Sequence, residues 1–179
     1  ATAATPRLLR RFPVPLASGE TFFSLSIAPS GTVGVLHSKG TTQRTYVVTV
    51  PSFQVIDVCP YGASEVRLEP RFAFDPTSLV AYSVMPQGAG VVRIDLTTGG
   101  CEVVISASGV DGLLPLSPGS LLLTHDTLGA AIVDVDPQSP LYGTFTTPWT
   151  GPAISDTRLL RGPGTDVFLA GSALGVGYF

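Results

Sequence analysis

The chain has 179 residues, of which 44% are hydrophobic and 13% charged, with a net charge of −3. That is enough apolar material for a core and little charge to cover a large free surface, a balance that suits a chain packed against other chains. It excludes nucleic-acid binding through a broad basic face, and the absence of any run of about 18 apolar residues excludes a transmembrane helix.

The first segment, "ATAATPRLLRRFPV", lacks the basic-then-apolar order of a secretory signal. Residues 7–14 read as a spare strand, and Arg7, Arg10 and Arg11 as its solvated edge. Next comes "FSLSIAPSGTVGVLH", residues 23–37: an apolar alternation, a Pro-Ser-Gly turn, then a second alternation. The pattern returns. "SLSIAPSGTVGVLHSKG", "RFAFDPTSLVAYSVMPQG", "GLLPLSPGSLLLTHDTLG" and "TRLLRGPGTDVFLAGSALG" each run apolar segment, Pro turn, apolar segment, Gly. Their prolines, Pro29, Pro76, Pro118 and Pro163, are spaced by 47, 42 and 45 residues, and each closing Gly follows its Pro by 11 or 12. A period of this size marks a repeat architecture.

After each Gly the chain continues "TYVVTVPSFQVIDV", "VVRIDLTTGGCEVVI" and "AAIVDVDPQSPLYGTF", each read as strand, short turn, strand. The last copy begins "VGYF" and the chain ends. Proline presets φ for the first turn position, and Gly, Ser and Asp tolerate the others. No window carries a helical apolar period free of Pro and Gly. The predicted architecture is therefore all-β: four units near 21–62, 66–109, 110–151 and 153–179, plus the extra strand 7–14, with the four prolines in equivalent turns.

Repeats of four antiparallel strands are the sign of a β-propeller blade. "FAFDPTSLVAYSVMPQGAGVVRIDLTTGG", residues 72–100, resembles a blade of the WD-repeat or related propeller class, with "CEVVIS" as its outer strand. Asp95 and Asp134 sit at the third-strand exits, where that family carries the Asp of its Trp-Asp dipeptide. The resemblance implies either a ring of four blades closed by residues 7–14 or part of a larger propeller. It also implies that function sits on the loops at the ends of a central channel. A two-sheet viral jelly roll is the other architecture the composition fits.

His37 and His125 fall at nearly the same place in units one and three, and Asp126 follows His125, so a metal or channel site is one reading and a pair of strand-end histidines hydrogen-bonded to nearby turns is the other. Met85 and Ala173 interrupt the set in the other units. Ser172 in "GSALG" is not centred in a nucleophile elbow, and "GPGTDVFLAGSALG" has no lysine to make a phosphate loop. Cys59 and Cys101, the only cysteines, read as two reduced thiols in strands. That favours an intracellular setting. Trp149, the only tryptophan, lies in a Pro-flanked loop, and Tyr178 and Phe179 end the chain; these three are the candidate interaction residues. The expectation is a non-enzymatic scaffold or interaction subunit with no cofactor, whose partners are other protein chains in a larger assembly. A channel-site enzyme and a capsid subunit are the alternatives.

Overall fold

In the computed structural model, residues 16, 18–39, 44–49, 52, 54–59, 72–85, 89–148 and 150 are described, together with the backbone of three further strands between 158 and 178. Every regular element among them is a strand.

The strands form four antiparallel meanders. Sheet one holds β1 (Thr21–Ile27), β2 (Val33–Lys39), β3 (Thr45–Thr49) and β4 (Val55–Asp57), in that spatial order. Sheet two holds β5 (Phe72–Phe74), β6 (Val80–Val84), β7 (Val91–Asp95) and β8 (Cys101–Ile105). Sheet three holds β9 (Val110–Ser117), β10 (Ser120–His125) and β11 (Gly129–Asp134). Sheet four holds β12 (Arg158–Arg161), β13 (Val167–Gly171) and β14 (Gly175–Tyr178). Neighbouring strands are sequence neighbours throughout, because each link is short enough to form a hairpin.

Three of the four repeat prolines sit where expected, between the first and second strand of a sheet. At Pro29 the Ala28 N–H reaches Val33 O at 2.8 Å, and the Gly31 N–H reaches Ala28 O at 2.9 Å. At Pro76 the Asp75 N–H reaches Val80 O at 3.0 Å. Pro118 and Gly119 make a two-residue link; Gly119 has φ +82°, the left-handed value a Pro-Gly type II turn needs. Pro163 and the strand expected at 7–14 lie outside the described residues.

The sheets stack face on face. Val33, Val35 and Val47 of sheet one pack on Ala81, Val92 and Ile94 of sheet two. The other face of sheet two presents Val80, Tyr82, Val84 and Val91 to Leu113, Leu121, Leu123 and Val133 of sheet three. Sheet two is covered on both faces, so all five residues of β6 are buried and its sequence shows no polar alternation. Sheet four approaches sheet three through β12, which runs beside β9.

Two expectations are corrected here. The fourth strand of unit three is not a strand. Residues 135–143 form successive turns, and the following segment makes scattered hydrogen bonds to β11 with isolated bridges, Val133 with Phe145 and Ala130 with Thr150, in place of a ladder. The Ile132 N–H is taken by the Thr147 hydroxyl at 2.7 Å, and both Thr146 and Thr147 direct their N–H groups at the single carbonyl of Ile132. Pro148 has no N–H to continue a ladder.

The second correction concerns the cysteines. Cys59 and Cys101 are joined in a disulfide, with Cα atoms 5.1 Å apart. Only Cys101 lies in a strand. Cys59 follows β4 with φ +54°, the one non-glycine residue in the left-handed region among those described. Two cysteines alone make no disulfide framework in a sequence, and these are 42 residues apart. Stacking sheet two on sheet one brings the end of β4 against the start of β8.

Candidate functional site

His125 ends β10 and is buried. Its Nδ1 accepts the Thr127 N–H at 3.0 Å and the Leu128 N–H at 3.3 Å, with the Thr127 hydroxyl at 3.2 Å. The same arrangement occurs twice more with aspartate. Asp75 Oδ1 takes the Thr77 N–H, the Thr77 hydroxyl and the Ser78 N–H at 2.7, 2.8 and 3.1 Å. Asp95 Oδ1 takes the Thr97 N–H, the Thr97 hydroxyl and the Thr98 N–H at 2.7, 2.6 and 3.3 Å. Each is an acceptor side chain two residues before a threonine, capping a turn with its own backbone. The sequence carries the signal as "DPT", "DLT" and "HDT", which a reading of prolines and glycines passed over.

This geometry gives the ring a structural role. Nδ1 is thus engaged by its own turn, and Asp126 Oδ1 lies 2.8 Å from the same nitrogen. Gly109, with φ +79°, packs against the ring, and a Cβ there would lie 2.6 Å from Cε1 and 2.7 Å from Nε2. His37 is on β2 opposite Thr45, in a different sheet from His125, and its side chain lies outside the described part of the structure. His125 shares the parity of Leu121 and Leu123, which face the preceding sheet. Among the described residues no three His, Cys, Asp or Glu groups converge to hold a metal ion. Replacing His125 by Asp is expected to preserve the turn, as Asp75 and Asp95 do. His125→Ala is expected to be less stable than His125→Asp by about 1 kcal/mol, the usual worth of a capping acceptor, read from urea unfolding of the two variants.

Asp95 and Asp134 do end their third strands, and both serve turns. Burial alone would raise the Asp95 carboxyl, but the hydrogen bonds from Thr97 and Thr98 outweigh it and hold it below its ordinary value. Asp134 accepts the Asp136 N–H at 2.9 Å and the Ser139 hydroxyl at 2.6 Å.

A second polar group lies between sheets two and three. Tyr82, Arg93 and Glu102 are successive cross-strand neighbours on β6, β7 and β8, and Tyr142 joins them from the turns after β11. Burial, reinforced by the Asp75 charge and opposed by Arg93, pushes the Tyr82 phenol up to about 12. Burial and then Glu102 push Tyr142 up to about 12. The Tyr142 hydroxyl is enclosed and closes no hydrogen bond of good geometry. Both phenols stay protonated over the physiological range.

Of the expected interaction residues, Trp149 and Phe179 lie outside the described residues, and Tyr178 is the last residue of β14, opposite Phe168. A row of half-exposed apolar side chains stands on the outer face of sheet one at its β1 edge. Leu25 pairs with Leu36 and Leu36 with Tyr46; Ile27 pairs with Gly34 and Gly34 with Val48. Directly opposed residues share a face. Leu36, Tyr46 and Val48 are buried there under Leu16 and Val55. Leu25 and Ile27 sit over Gly34, whose added Cβ would come within 3.1 and 2.9 Å of their Cδ1 atoms, yet they remain 45% and 49% exposed. Phe22, 55% exposed, joins them by pairing with Ser38, because a bulge between Phe22 and Ser24 reverses the alternation. In sheets two and three the corresponding face is packed against the preceding sheet.

No protein-family model matches the chain, and neither does the sequence of any curated protein. Solved structures do resemble it. The computationally designed Ika4 protein superimposes with a TM-score of 0.57 at 12% identity, over 93% of this chain and 94% of that one. The computationally designed Ika8 protein gives 0.53 at 12% identity, over 88% of this chain and 45% of its own. A chain from a structural and mechanistic analysis of two prolyl endopeptidases gives 0.61 at 17% identity, over 94% of this chain and 26% of its own. The chain thus spans nearly all of the first but less than half of the other two, and at such identities the likeness is one of fold alone.

Proposed function

We propose that the chain is a protein–protein interaction module built from β-propeller-like blades, and that the exposed β1 edge of sheet one is its docking surface for another protein chain. The observation that carries this reading is the row of Phe22, Leu25 and Ile27, half exposed on a face whose counterparts in sheets two and three are covered. Apolar side chains gain about 25 cal/mol for each Å² removed from water, so a continuous row of this kind favours being covered. Four successive meanders support blades over a jelly roll, whose strands divide between two sheets by Greek-key links. A channel site using His37, His125 and Asp126 gains no support, because the acceptor nitrogen of His125 is occupied by its own turn.

Sedimentation of the chain at micromolar concentration tests the reading. Wild type is expected to associate, and the Leu25→Asp/Ile27→Asp variant to run as a monomer with an unfolding midpoint close to wild type, since neither side chain belongs to the buried core. A wild-type chain that stays monomeric at tens of micromolar, and that the double substitution unfolds, would overturn it. That result would instead place another part of the same chain over this face, as in a closed ring.

A further inference from the structure

From the setting of the Cys59–Cys101 bond, we infer that this chain folds and works in an oxidising compartment, where the disulfide clips the end of sheet one to sheet two. The chain has two cysteines, and they are bonded to each other, so no free thiol remains. Their surroundings are built for the join. The Cys59 N–H donates to Gly99 O at 2.9 Å, and Gly99, at φ +74°, approaches sheet one so closely that a Cβ would fall 2.1 Å from Asp57 O. Only glycine fits there, on both counts. The turn carrying Gly99 is itself fixed by Asp95, through its bonds to Thr97 and Thr98, and by the Gly99 N–H to Asp95 O at 2.8 Å. That turn delivers Cys101 to the first position of β8. Cys59 meanwhile holds a left-handed backbone that an ordinary L-residue rarely adopts.

Cytosolic thiol systems keep such pairs reduced, whereas secreted, periplasmic and lumenal proteins retain them. The chemistry is thiol–disulfide exchange. The Cys59 and Cys101 thiols give up two protons and two electrons, and the new S–S bond replaces that of an oxidised carrier, a protein disulfide or oxidised glutathione, which leaves as two thiols. This reverses the intracellular setting expected from two separate reduced thiols.

The test is to express the chain in a reducing cytosol and in an oxidising secretory compartment, then count thiols with Ellman reagent in denaturant without reductant. The expected result is no titratable thiol in the second preparation and two in the first, with the dithiol protein unfolding at lower urea or failing to fold. The Cys59→Ser/Cys101→Ser variant should match the dithiol protein. Two free thiols in folded protein from the oxidising compartment would overturn the inference. So would identical urea midpoints for the oxidised, dithiol and double-serine forms.

Discussion

Removing the Cys59–Cys101 cross-link is expected to lower the unfolding free energy by about 3 kcal/mol at 25 °C. The bonded residues are 42 apart. In the chain-entropy account a closed loop of that size restricts the unfolded ensemble by about 4 kcal/mol. The folded state contributes in the opposite direction, since freeing Cys59 lets its left-handed backbone relax, a relief on the order of 1 kcal/mol. The check is urea unfolding of the oxidised chain beside the Cys59→Ser/Cys101→Ser variant. The midpoint should fall and the slope rise, because an uncrosslinked unfolded chain exposes more surface. A loss under about 1 kcal/mol would mean that strain in the folded state nearly cancels the entropic gain, or that the reduced unfolded chain stays compact around the same contacts.

Leu123→Ala is expected to cost about 3 kcal/mol. Leu123 is fully buried at the centre of sheet three, opposite Leu113 on β9 and Ala131 on β11. It belongs to the layer that Val80, Tyr82, Val84 and Val91 press onto from sheet two. Truncation removes three carbons' worth of burial and leaves a cavity between sheets that strand pairing holds apart, so the site collapses little. Leu128, 48% exposed in the turn three residues after the end of β10, is the control; its truncation should change stability by less than about 0.5 kcal/mol. Equilibrium denaturation of both variants checks the pair. Equal small losses would mean that sheets two and three do not share a core at Leu123.

Features governed by a few adjacent residues were legible in the sequence alone. Pro29, Pro76 and Pro118 mark the first turn of their sheets because proline restricts φ whatever surrounds it. Asp95 and Asp134 mark third-strand ends because a short carboxylate caps the turn that follows. The all-β class followed from strand-length apolar runs broken by Gly and Pro. What depended on distant parts of the chain was not legible. The bulge in β1 gathers Phe22, Leu25 and Ile27 on one face, against the plain alternation of the sequence, because pairing with β2 sets the register. His125 is an exception, a strand-end histidine whose bonds to its own turn were legible because Thr127 and Leu128 follow it closely. The segment after β11 has a strand's composition, but the Thr147 hydroxyl and Pro148 deny it a continuous ladder. Cys59 and Cys101 carry no local mark of partnership. Their bond exists because two meanders, each specified by its own turns, stack face on face, and that stacking is a property of buried area between sheets which no short stretch of residues encodes.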